Sequence, residues 1–260
     1  MAIVHVGNIT DFIAAISVAD NEVIVDNDID AQDWAASETT VRATKITGND
    51  HSISNINHLA NGNLFYFGAN CTIDKLHLIN FICFNTSDAA TFHARNYQAT
   101  FNDCKFQGRF RNFAYRNINC NRCTFTFESG LKYAHWMESS SVTWEQCYID
   151  FKVQTSNAFP VFAGTSDAVL NNCYFKGQLK ASTANGQFSF TLANCVVNTD
   201  LVGTVTTPIS TQTTSRITLY NSDKIGNVTI TAKNNVIPLT DAQLKDPAAV
   251  AATGFPLVTS

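Results

Sequence analysis

Eight cysteines stand among the 260 residues of this chain, and Cys120 and Cys123 have the CxxC spacing with which two thiolates can grip one zinc ion. A closed zinc site needs four ligands, and the sequence offers no second CxxC and no HxxxH to complete it. In a secreted protein the cysteines would suggest disulfides. The opening stretch MAIVHVGNITDF lacks a basic segment followed by an apolar one, so no signal peptide is read and the thiols are expected to remain reduced in a cytoplasm. General acid–base chemistry could draw on His93 and His135, but that pair lacks a nucleophile or carboxylate partner. The expectation is therefore no catalytic residue, no metal and no cofactor.

The elements that position these cysteines form a repeat. ATFNDCKF starts at Ala99, VTWEQCYI at Val142, AVLNNCYF at Ala168 and FTLANCVV at Phe190, with half-matches NINCNRCTF from Asn117 and ITLYNSDKI from Ile217. One slot is thus filled by Leu76, Cys104, Cys123, Cys147, Cys173, Cys195 and Ser222, at intervals of 19 to 28 residues. An apolar residue stands three positions earlier: Ile73, Phe101, Cys120, Trp144, Leu170, Leu192 and Leu219. The pair between them is rich in Asn, which tolerates the left-handed conformation, so it reads as a tight bend joining two short strands. A slot recurring at this interval marks a solenoid, whose rungs bury their apolar faces only against neighbouring rungs. The cysteines then read as small buried hydrophobes, stacked at about the 4.7–4.9 Å strand spacing. Cys71 and Cys83, with apolar neighbours, read as further packing positions.

The remaining strand of each rung falls at 64–67, 91–94, 113–115, 133–137 and 159–162, and none of these contains Asp or Glu. Alternation places Tyr66, His93, Tyr115 and His135 outward on adjacent rungs, where flat amphipathic groups could stack on sugar rings or pack against another subunit. Trp136 and Trp144 are expected in the core.

Charged residues make up only 15% of the chain while Phe reaches 19, a balance suited to stacked strands rather than to charged helices. A net charge of −4 without a basic run argues against nucleic acid, and no membrane span is read. The expected organisation is a cap over residues 1–21, a β-solenoid over 22–236 and a tail over 237–260. Within the first cap, Thr10 is expected to start a short amphipathic helix reaching Ile16, and the strand from Glu22 to be the first. Such a helix would cover the open end of the first rung. In the tail, Thr240 to Gln243 has capping-box character and Asp246-Pro247 an N-cap followed by proline, so a second helix is expected to end near Gly254 and to cap the last rung or dock onto a partner.

The stretches DFIAAISVADNEVIVDNDIDA, KITGNDHSISNI and NLFYFGANCTIDKLHLINF, with the closing LTDAQLKDPAAVAATGFPL, resemble right-handed parallel β-helix proteins of the pectate-lyase-like superfamily, in particular those of tailed-bacteriophage virions. The resemblance implies an all-β, right-handed parallel β-helix with short N-terminal and C-terminal capping helices. It also implies a non-enzymatic structural part of a phage particle: a capsid decoration, head fibre or tail accessory protein, trimeric, assembled in the bacterial host cytoplasm among other virion proteins. The alternative it carries is a carbohydrate-binding or polysaccharide-degrading protein acting on host surface glycans. Of the elements used by the related hydrolases, only Asn198-Thr199-Asp200 is present, with no DD, GHG or RxK. Cleavage generally needs two carboxylates, which Glu128, Glu138 or Asp167 could supply from loops at an intersubunit site.

Overall fold

The computed structural model describes residues 1–34, 39–58, 65–80, 82–83, 92–93, 97–108, 113–114, 118–127, 133–137, 141–151, 159–163, 167–176, 179–182, 189–193, 196–198, 209–211, 216–220 and 230–232. Among these, one helix accompanies strands that pair in parallel. Three sheets, of eleven, eight and eight strands, hold nearly all of them. The chain visits the sheets in fixed order. Ala99–Asn102 lies in the first, Lys105–Gly108 in the second and Phe113–Ala114 in the third, and then Ile118–Asn121, Thr124–Phe127 and Tyr133–Met137 repeat the circuit one strand along. An order of this kind is compatible with a solenoid.

Register carries the repeat into space. In the first sheet Ile46, Ile73, Phe101, Cys120, Trp144, Leu170, Leu192 and Leu219 are successive partners, so the apolar position read from sequence is one continuous column. A second column runs through Ile29, Ile53, Leu78, Phe106, Phe125 and Ile149. Alternation within each strand sends the residues of the second column to one side, and all six are essentially inaccessible. Stacked strands superpose like side chains, so the aromatic rings meet face to face. Phe106 lies 4.6 Å from its register partner Phe125 at 6°, and across the interior, between the second sheet and the first, Phe125 lies 4.7 Å from Trp144 at 7°. Phe101 meets Phe106 edge-on at 5.5 Å. Each buried large side chain contributes about 1.5–3 kcal/mol, which makes these columns the main source of cohesion between turns. Trp144, expected in the core, is there at 1% exposure.

The N-terminal end departs from the sequence expectation in two ways. A strand, Ile3–Val6, precedes the helix and pairs in parallel with Glu22–Val25, so Glu22 does not start the first strand. The helix spans Ile9–Ile16 and is capped by Asn8 rather than Thr10. Asn8 has extended backbone, and its Oδ1 accepts from the Asp11 amide at 2.9 Å, which satisfies one of the amides a helix start leaves free. Phe12, Ala15 and Ile16 are the helix's buried face. Its last carbonyls are also satisfied: Asn21 donates to Ala15 O, and the amides of Arg42 and Ala43 donate to Ile16 O. The helix is thereby tied to the end of the third-sheet strand Thr39–Val41. The tail expected over 237–260 lies outside the described residues.

Candidate functional site

The most constructed feature of the molecule is the bend between the first and second sheets. In five successive turns it consists of two residues: Lys75-Leu76, Asp103-Cys104, Arg122-Cys123, Gln146-Cys147 and Asn172-Cys173. The first of each pair is left-handed, with φ between 51° and 54°. The amides of Lys75, Asp103, Arg122 and Gln146 donate to the carbonyls of Asn102, Asn121, Glu145 and Asn171 in the following turn, at 2.8–2.9 Å. The parallel ladder therefore continues around the corner. Asn was expected to supply the left-handed residue, yet that position holds Lys, Asp, Arg, Gln and Asn. Asparagine serves mainly one position earlier, as a side-chain ladder: Asn121 Nδ2 donates to Asn102 Oδ1 and Asn102 Nδ2 to Asp74 Oδ1, both at 2.8 Å. Gly48 marks where this pattern begins, because a Cβ there would run into the backbone of Lys75 and Leu76.

The residue completing each bend is the slot residue, and Leu76, Cys104, Cys123, Cys147 and Cys173 are all buried. Its sulfur does more than fill space. Cys104 Sγ donates to Ile73 O at 3.4 Å, Cys123 to Phe101 O at 3.4 Å, Cys147 to Cys120 O at 3.3 Å and Cys173 to Trp144 O at 3.6 Å. Each thiol thus reaches the carbonyl of the apolar residue in the turn before, a contact that the sequence reading of plain hydrophobes missed. Burial pushes the Cys71 thiol up to about 12 and those of Cys104 and Cys120 well above the ordinary value. Cys147 is fully enclosed with no cation among the groups acting on it; desolvation holds it as the neutral thiol, against the hydrogen bonds with Cys123 and Cys173 that pull it down. Cys71, Cys104, Cys120, Cys123, Cys147 and Cys173 are free thiols. Among the described residues no three His, Cys, Asp or Glu side chains gather as a metal cage. Cys195 and Ser222 lie outside the described residues.

On the third sheet the register brings two of the four expected surface residues together. Tyr66 and His93 are direct partners. The next members of that column are Ala114 and Trp136, whereas His135 pairs with Phe113, one column over, next to a register shift between Tyr133 and His135. Tyr115 lies outside the described residues, as do Glu128 and Glu138. Asp167 begins the first-sheet strand Asp167–Asn171, in register with Ser141 and Ser189, rather than sitting in a loop.

A second group of polar residues had no sequence signal. His51 Nδ1 lies 3.6 Å from Asp28 Oδ1, and His77 Nε2 lies 3.7 Å from Asp50 Oδ1, each pair joining one turn to the next. Burial lowers the His77 pKa, helped by Lys105, its register partner, and opposed by Asp50 and Asp28. Asp28 is fully exposed, and the Ser52 amide, donating at 2.7 Å, holds its carboxyl below the usual value. The His51–Asp28 pair is exposed and long, and at 3.7 Å the Asp50 carboxylate leaves the buried His77 Nε2 without a hydrogen bond, so both pairs act as weak inter-turn ties. Beneath the helix, an apolar cavity of about 20 Å³ is lined by Phe12, Ile16, Phe65, Leu76 and Phe101 among others. It has room for little more than one water molecule, and an apolar lining keeps such a space dry.

Compared with known proteins, the chain matches no family model and no curated sequence.

Proposed function

We propose that the chain is a right-handed parallel β-helix that serves as a non-enzymatic structural component of a tailed-phage particle. The observation that carries this reading is the continuous inner stack: parallel sheets visited in constant order, with one apolar column running from Ile46 to Leu219. Among the described residues, the turns from Lys75 to Cys173 are bonded to their neighbours at the same corner through backbone contacts, with asparagine and thiol contacts added in several of them. Such a body is stiff along its axis, and its outer connections can differ in length without disturbing the stack, which suits a rod held on a particle. The sequence resemblance supplies the phage context. Within it, the partners are other virion proteins and further copies of the chain, a trimer being favoured, on the capsid, a head fibre or the tail, after assembly in the host cytoplasm. No helix among the described residues is long and apolar enough to cross a membrane.

The test is a reconstruction of the particle that carries this chain. Rod-like density at capsid or tail positions, fitted by the three-sheet body, is the expected result; a particle whose structural components exclude the chain would overturn the proposal.

The Tyr66–His93 register pair favours a second reading, binding or cleavage of bacterial surface glycans. Purified protein incubated with a panel of such polysaccharides distinguishes the two. Cleavage abolished by Glu128→Gln, Glu138→Gln or Asp167→Asn would establish the second reading and displace the first.

A further inference from the structure

The strand Ile3–Val6 is the terminal member of the eleven-stranded sheet. The amides of Glu22 and Asp26 donate to Ala2 O and Val6 O, so by alternation the backbone groups of Ile3 and His5 face the other edge. Among the described residues no strand pairs with that edge. Edges of this kind are usually blunted by lysine, proline or a bulge. Ile-Val-His-Val contains neither lysine nor proline, and it pairs residue for residue with Glu22–Val25 without a bulge. Met1 and Ile3, at 87% and 62%, are the two most exposed large hydrophobics among the described residues.

The charge around this edge argues what could complete it. Of the chain's 21 acidic residues, seven fall within residues 1–34, and none of its 17 lysines and arginines does. Six of those seven are exposed, and they surround the end of the stack, since residues 3–30 supply the terminal strands of both the first and second sheets. Two copies brought edge to edge would face carboxylates with carboxylates, which disfavours self-pairing. A surface of opposite charge would be drawn to the same end.

We propose that the outer edge of Ile3–Val6 is a docking edge, completed by an added β-strand from a different protein whose flanking surface is basic. Main-chain hydrogen bonds to Ile3 and His5 give the attachment, and the exposed Met1 and Ile3 give it apolar contact. The carboxylates select the partner and speed its approach. The inference stands on the edge and its charge and holds whether or not the particle reading does.

The test uses the full-length protein and two fluorescent strand peptides of alternating valine and threonine, one flanked by lysine pairs and the other by glutamate pairs. Anisotropy titrations should show the lysine-flanked peptide binding, more weakly as salt is raised, and its glutamate twin failing to bind. His5→Pro removes an outward amide, together with the contact of the His5 ring with Asp26 at 2.9 Å, leaves the backbone ladder to Glu22–Val25 in place and should weaken binding about tenfold. Ile3→Lys, at an exposed position that leaves the fold intact, should weaken it as well. The inference is overturned if the lysine-flanked peptide does not bind, which would leave the carboxylates only the role of keeping copies apart. It is equally overturned if both peptides bind alike, or if both variants bind like the parent, which would mean charge attraction without strand addition.

Discussion

Two connections in each circuit behave differently. Between the first and second sheets the chain uses two residues in five successive turns, from Lys75-Leu76 to Asn172-Cys173. Between the second and third sheets it uses two residues, 177–178, in one turn and ten, 199–208, in another. Through the fixed corner the ladder runs unbroken, with bend amides, asparagines and thiols bonded to the neighbouring turn. One residue more or less there would shift the slot out of column and reverse the faces of the strand that follows. The second connection is also bonded between turns where it is described, through the Asn55 and Asn80 amides and the pairing of Asn57–His58 with Ile82–Cys83, yet its length differs from turn to turn, and lengthening a connection twofold costs only about 0.6 kcal/mol. Constancy of length thus goes with a corner whose bend amide is bonded in the same way in four successive turns.

The interior behind the fixed corner gives the sharpest way to break this contrast. Trp144→Ala removes the end of the Phe106–Phe125–Trp144 stack and should cost about 3–5 kcal/mol in urea unfolding. At the corner itself, Cys123→Ala deletes the thiol that donates to Phe101 O, for a loss of about 0.5–1.5 kcal/mol. Cys123→Ser keeps a donor and should lose less; equal losses would show that the slot needs only volume.

On the outside of the same turns, pH provides a smaller probe. His77 has its folded pKa lowered, so the folded state prefers the neutral ring. Above the unfolded value of about 6.5 the group contributes nothing, and below it the folded state loses stability as protons bind preferentially to the unfolded chain. The melting temperature should therefore fall between pH 7.5 and 5.5, and His77→Gln should flatten that dependence. Asp103, lowered by its hydrogen bonds with Arg122, acts in the same direction in a more acidic window, stabilising above its unfolded value near 3.8 and losing that effect as pH falls further. Both partners are substantially exposed, so Asp103→Asn at neutral pH should change stability by less than about 1 kcal/mol.

Much of the fixed corner was legible in the sequence because it is repeated. Phe101, Cys120, Trp144 and Leu170 were aligned by spacing alone, and they are register partners. What occurs once was harder to read. Ile3–Val6 is a four-residue edge strand with no copy elsewhere, so nothing distinguished it from a loose terminus. The choice of Asn8 over Thr10 turned on one side-chain hydrogen bond between two acceptable capping residues. His51–Asp28 and His77–Asp50 join residues 23 and 27 apart, distances that change with each connection and leave no period. On the third sheet, the irregularity between Tyr133 and His135 moved His135 out of the column of Tyr66 and His93, a shift that simple alternation could not anticipate.

The contrast between the two connections is tested most directly by one pair of insertions read in the same unfolding experiment. Adding Gly-Ser after Asp103 should displace Cys104 from its column, break the corner bonds on both sides and cost more than about 3 kcal/mol. The same insertion within 199–208 should cost less than about 0.6 kcal/mol. Comparable losses at the two places, or a larger one in 199–208, would contradict the account of how this stack is held.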